Sequence, residues 1–196
     1  MAAVPKPEPI SIEEYLEGER ASEVRHEYVA GYVHAMAGAS DDHNRITGNI
    51  FAALHSALRG KRCEPFMTDM KVKIPPKLAS AFYYPDVVVA CDPTDNAKYY
   101  RERPIIIFEV ILPDTERTDR REKALAYGYI ETLRAYVLVE QDELKLTVLR
   151  PAADGNWSTE VLEGAGAELK LPEIDSQLSL SIIYERTSLL HKTGNS

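Results

Sequence analysis

Two carboxylates stand where carboxylates are costly. Glu109 is the one polar side chain in the run IIIFEVIL, residues 105–112, and Asp86 follows Pro85 and opens Val87-Val88-Val89. Burying an unpaired carboxylate is expensive, so each needs a partner or a use. Ordinary readings exist for both: Glu109 at the exposed end of a strand or paired with an arginine, and Asp86 as a turn residue entering a strand. Together they offer another. Neighbouring strands that each carry one carboxylate can bring two hard oxygen donors together, as Mg²⁺ prefers when it keeps several waters and bridges to a phosphate. A lysine beside such a pair suits phosphodiester hydrolysis, in which the metal polarises the phosphoryl oxygen and activates water while the ammonium stabilises developing charge.

The elements that must position these residues are legible from periodicity. Ser11 with Glu14 forms a capping-box pattern ahead of Ile12, Tyr15 and Leu16, which predicts a short leading helix. Glu27-Tyr28-Val29 and Tyr32-Val33-His34 flank Ala30-Gly31, which predicts a hairpin. Asp41-Asp42 can cap a helix in which Ile46, Ile50, Leu54 and Leu58 recur every four residues, with Gly60 at its stop. Strands are expected over 64–74, ended by Pro75-Pro76, over 83–90, and over 105–112. A helix from Asp119 to about Glu131 follows, with Glu122 completing a capping box and Gly128 inside it at a cost of about 1 kcal/mol. Strands over 135–140 and 144–149 pair across Gln141-Asp142-Glu143, Trp157 to Leu162 adds an edge strand, and Ser176 to Leu190 packs at the end. Because IIIFEVIL is apolar on both faces, it belongs mid-sheet under helices, an α/β core.

The 196 residues suffice for about one domain, read here as a flexible N-terminal arm over 1–10 and a single domain over 11–196. The longest apolar run is interrupted by Glu109 and is too short to span a bilayer, and the start MAAVPKPEPIS lacks the pattern of a signal peptide, so a cytoplasmic location is expected. Two cysteines, Cys63 and Cys91, are too few for a disulfide framework or a zinc site and read as free thiols. The net charge of -8 argues against non-specific coating of nucleic acid. It leaves a metal enzyme open, since carboxylates that hold a cation count as negative until the ion arrives.

The stretches YPDVVVA, IIIFEVILPDTERTDRREKALAYGYI and LRAYVLVE, preceded by ISIEEYL, HEYVAGYVHAMAG and DDHNRITGNIFAALHSALRG, together resemble the Uma2 family (DUF820) of PD-(D/E)xK restriction-endonuclease-like proteins. The resemblance runs from about Ser11 to about Arg150. It implies a central mixed β-sheet flanked by helices, with an N-terminal helix and hairpin. Residue by residue, Asp86 matches the aspartate of the PD motif and Glu109 the glutamate of the EV motif, with the Val110 backbone carbonyl as a further implied metal ligand. The superfamily's lysine two residues on is absent, the position being Ile111, and Lys123 in DRREK matches the lysine that Uma2 proteins place in the following helix. A solvated helix-face lysine is the ordinary alternative for Lys123. The chain departs from the family pattern at Leu112, where serine is usual, and at Val137, where tryptophan is common.

Two further residues are site-lining candidates. Glu27 reads first as an exposed strand glutamate and second as an additional acid at the cleft. His43 shares helical spacing with Ile46 and Ile50, so it faces inward, as a hydrogen-bonded structural residue before a catalytic base. The expected activity is an Mg²⁺-dependent DNA endonuclease, Mn²⁺ substituting. Asp86, Glu109 and Lys123 would be its catalytic residues, Asp86, Glu109 and the Val110 carbonyl its metal ligands, and a homodimer its candidate assembly. The alternative is an inactive nucleic-acid-binding or regulatory module that retains the fold. The basic residues, such as Lys71, Lys73, Lys98 and Arg101, are interleaved with acids and outline no DNA-binding face, and Tyr99 and Tyr100 could stack on bases or pack on the domain.

Overall fold

A computed structural model describes residues 8–36, 38–76, 80–111, 118–152 and 155–193. The chain opens with helix α1 (Ile12–Ala21), where Ser11 and Glu14 close the capping box reciprocally. Strands β1 (His26–Val29) and β2 (Tyr32–Ala35) form the hairpin, with both turn residues at positive φ, Ala30 at 53° and Gly31 at 94°. Gly31 is needed twice over, since a Cβ there would lie 2.6 Å from the Pro9 side chain. Helix α2 (Asp41–Leu58) is capped by the Ser40 hydroxyl, so Asp41 and Asp42 occupy its first turn rather than the cap. There follow β3 (Glu64–Met67), β4 (Lys71–Ile74), β5 (Ala81–Tyr83), β6 (Val87–Ala90), β7 (Tyr100–Arg101) and β8 (Pro104–Ile111). Helix α3 (Thr118–Tyr127), β9 (Ala135–Glu140), β10 (Lys145–Pro151) and β11 (Trp157–Glu163) complete the core, and β12 (Glu168–Leu171), β13 (Ser176–Ser179), α4 (Leu180–Ile183) and α5 (Ser188–Thr193) form the C-terminal part.

The central sheet has six strands in the order β11-β10-β9-β8-β6-β3, with β8 and β9 parallel and the other pairs antiparallel. A second sheet has five, β2-β1-β5-β4-β7. Period-2 alternation along β6 and β8 sends side chains to two different cores. On one face Val87, Val89, Ile106, Phe108 and Val110 meet Ile46, Ile50, Leu54 and Leu58 of α2. On the other, Val88, Ile107 and Ile111 meet Tyr127 of α3 and Val72, Ile74 and Tyr83 of the second sheet. Glu109 shares the parity of Ile107 and Ile111, so its carboxylate enters the second core. The mixed sheet flanked by helices agrees with the expected α/β architecture.

Several expectations are corrected. The segment 64–74 is two strands in different sheets, separated at Thr68 with φ 50°. The segment 83–90 likewise divides, β5 joining the second sheet and β6 the central one, so Tyr84, Pro85 and Asp86 cross between them. Apolar content cannot distinguish one long strand from two that change sheet. Helix α3 starts at Thr118 and stops at Tyr127, so Asp119 lies within it and Gly128 follows it; a Cβ on Gly128 would lie 3.3 Å from the carbonyls of Ala124 and Leu125. Cys63 and Cys91 are not free thiols but a disulfide. The physical cause is register: β3 and β6 pair antiparallel with Glu64 opposite Ala90, which sets the residues one step beyond face to face. Of the arm over 1–10, Ile10 is anchored by its N–H to the Gly31 carbonyl at 2.8 Å, and residues 1–7 lie outside the described residues. Leu112 and the helix-entry segment through Arg117 also lie outside them.

Candidate active site

Strand register brings the two carboxylates together. Val87 of β6 pairs with Phe108 of β8, so Asp86 and Glu109 are each one residue further on in the same antiparallel ladder. The backbone N–H of Val110 donates to Asp86 Oδ2 at 2.7 Å, which ties the aspartate to the residue after Glu109. Both carboxylates line a cleft of about 680 Å³, together with Val110, Glu27, His43, Lys123 and Tyr83. Glu109 is 6% exposed. Its Oε1 accepts from Tyr127 Oη at 3.0 Å and from Lys123 Nζ at 3.3 Å.

Lys123 reaches back from α3 as a bridge, because its ammonium also lies 2.8 Å from Glu27 Oε1 and 5.4 Å from the centre of the Tyr83 ring. Glu27 is therefore no exposed strand glutamate; its side chain is 18% exposed and turned into the cleft. On the other flank, His43 Nε2 lies 3.3 Å from Asp86 Oδ1. Burial pushes the Glu109 carboxyl up to about 7; Lys123 opposes the rise, Asp86 and Glu27 add to it, and the Tyr127 hydrogen bond opposes it. Burial alone would lower the His43 ring, but the hydrogen bond to Asp86 and the charges of Asp86 and Glu109 raise it overall. Tyr127 is held far above its ordinary range by burial and by Glu109, so it stays a phenol and a donor.

The sequence matches the model of the Uma2 family, described as "Putative restriction endonuclease", over residues 12–182. The chain belongs to the Uma2 family. Among its relatives, two uncharacterized Synechocystis proteins, slr1290 and sll1609, are each 31% identical to this Uma2 chain. The first alignment covers 89% of this chain and 91% of that protein, the second 80% and 89%. A crystal structure of a putative nuclease belonging to DUF820 from Anabaena variabilis superposes with a TM-score of 0.71 at 19% identity, covering 90% of this chain and 98% of that one. At that identity the likeness establishes the shared nuclease-type fold.

The donor set of this Uma2 chain fits a loosely held hard cation. Among the described residues no group of three or more His, Cys, Asp or Glu side chains is spaced as a metal cage. Asp86, Glu109 and the Val110 carbonyl would instead supply three oxygens and leave the remaining positions to water or phosphate, as suits Mg²⁺. Burial raises Glu109 most, and the repulsion from Asp86 and Glu27 that adds to the rise is what such a cation would relieve. Ile111, where the superfamily pattern has its lysine, is buried in the apolar core instead. The structure gathers Asp86, Glu109, Val110, Lys123, Glu27 and His43 around one cleft. Sequence reasoning passed over Tyr127 as a site residue, although it stands four residues after Lys123 and so shares its helix face. It also passed over Thr47, four residues after His43, whose buried hydroxyl lacks a hydrogen-bond partner among the described residues. Among the described residues no helix is long and apolar enough to cross a membrane.

Proposed function

We propose that this Uma2 protein is an Mg²⁺-dependent DNA endonuclease that hydrolyses phosphodiester bonds, with Asp86, Glu109 and Lys123 at the reacting centre. The observation that carries the proposal is the meeting of the three side chains in one cleft, with Lys123 3.3 Å from Glu109 and Asp86 held by the N–H of Val110. Asp86, Glu109 and the Val110 carbonyl would hold the cation. A bound Mg²⁺ or Mn²⁺ supplies Lewis-acid polarisation of the phosphoryl oxygen and a lowered pKa for the attacking water. Glu109, poised near neutrality, gives up its proton readily as positive charge enters the cleft. Tyr127 holds Oε1 of Glu109 and thereby fixes the carboxylate plane. Lys123 contributes a point charge towards a phosphate in the cleft, where its partial burial strengthens it. Val110 N–H holds one oxygen of Asp86 and the His43 ring approaches the other.

Cleavage of plasmid and of single-stranded DNA, with Mg²⁺ or Mn²⁺, tests this in wild type and Glu109→Ala. Metal-dependent cutting by wild type and its loss by at least about 100-fold in the variant are expected. Equal rates for the two proteins would overturn the catalytic assignment. Titration of Mn²⁺ by calorimetry gives a second readout, with binding expected to vanish in Asp86→Asn. Metal-free binding of DNA without cutting would instead mark a non-catalytic module that retains the fold.

A further inference from the structure

Lys123 is placed by two sheets at once. On the central sheet Glu109 Oε1 lies 3.3 Å from its ammonium; on the second sheet Glu27 Oε1 lies closer, at 2.8 Å. The position of Glu27 follows from strand alternation. Tyr28 of β1 pairs with Phe82 of β5 and is buried with Phe82 and Tyr15 against α1, so its neighbour Glu27 must point to the opposite side, into the cleft. There the Tyr84 backbone N–H also approaches Glu27 Oε1, at 3.4 Å.

We propose that Glu27 is a positioning residue for Lys123, holding the ammonium beside the Asp86–Glu109 pair whatever the charge on Glu109 is doing. The proposal deepens the nuclease reading above and rests on it. A lysine is a compact charge on a flexible stem, and one carried on a helix gains no rigidity from the sheet that carries the carboxylates. Glu109 cannot serve as its permanent anchor, since a carboxylate that neutralises a cation has less charge to share with an ammonium. Glu27 stands on a different sheet and accepts a hydrogen bond from the Tyr84 backbone N–H. Loss of its charge therefore loosens Lys123 while leaving the donor oxygens of Asp86 and Glu109 in place.

The test compares full-length wild type with Glu27→Gln, which keeps shape and loses charge, and Glu27→Asp, which keeps charge and loses reach. The reactivity of Lys123 towards a water-soluble amine-acylating ester, read by peptide mass spectrometry with exposed Lys98 as internal reference, reports the anchor without any turnover. Lys123 labelling is expected to rise about fivefold in Glu27→Gln, with and without Mn²⁺, and by less in Glu27→Asp. In cleavage assays kcat should fall about tenfold in Glu27→Gln while KM and the Mn²⁺ isotherm stay within about twofold of wild type. Unchanged Lys123 labelling overturns the proposal irrespective of activity. A Glu27→Gln isotherm weakened together with kcat also overturns it, because Glu27 would then act on the cation. If wild type cuts no nucleic acid, the nuclease reading fails by that result, and the labelling alone decides whether Glu27 holds Lys123.

Discussion

Two networks of buried charge meet at Tyr84 and end in opposite ways. On the α1 side, Lys71 Nζ donates to Tyr84 Oη at 3.0 Å, Tyr84 Oη donates to Glu19 Oε1 at 2.8 Å, and His26 approaches Glu19 at 3.2 Å. That network is closed: one carboxylate faces a lysine through a phenol, with an imidazole behind it. On the cleft side, the carboxylates of Asp86, Glu109 and Glu27 face Lys123 and the His43 ring. That network carries excess negative charge and opens on a cavity. Lys71 is buried and Lys123 half-buried, so withdrawal of charge from water alone does not mark a site. The informative features are incomplete compensation and a void beside it.

Removing the lysine of each network should separate them most strongly. Lys123→Met leaves Glu109 and Glu27 without their shared cation. A loss of about 3 kcal/mol in urea unfolding is expected for the metal-free protein, with metal-dependent cleavage reduced at least about 100-fold. Lys71→Met should cost below about 2 kcal/mol, since Glu19 keeps Tyr84 and His26, and should leave cleavage within about threefold. Preserved cutting in Lys123→Met beside lost cutting in Lys71→Met would reverse the comparison.

The closed network should also show a characteristic pH dependence. Burial, opposed by the charges of Glu19, Asp69 and Tyr99, lowers the Lys71 ammonium below its ordinary 10.5. A lysine with a depressed folded pKa binds its proton less well when folded than when unfolded. Its burial therefore penalises the fold below that folded pKa, and the penalty is relieved as pH rises towards 10.5. The deficit of Lys71→Met relative to wild type should accordingly widen as the pH of the unfolding experiment is raised towards 10.5. A deficit that narrows would contradict the assignment.

Metal should stabilise one network only. At ten times its Kd, Mg²⁺ or Mn²⁺ should add about 1.4 kcal/mol to wild type and to Lys71→Met, read as a shift in thermal midpoint, and nothing to Glu109→Gln. The smallest effect is expected at Thr47, where a buried hydroxyl without a partner among the described residues contributes little. Thr47→Val should change stability by less than about 1 kcal/mol, and an increase is as compatible with that site as a small decrease.

The sequence alone determined the secure helix α2, the buried strand β8 with its single carboxylate, and the chemical identity of Asp86, Glu109 and Lys123 as the residues to explain. These were legible because periodicity and the cost of a buried charge are local properties of a chain. The Uma2 resemblance supplied their grouping. Tertiary structure decided the rest. The runs 64–74 and 83–90 each change sheets, and it is the second change that leaves Asp86 at the strand entrance facing Glu109. Cys63 and Cys91 became partners through a register set by β3 and β6, and Glu27 turned inward because Tyr28 took the opposite face. Each outcome depends on which strand lies beside which. That is a contest among long-range pairings, and no stretch of residues carries it in its own pattern.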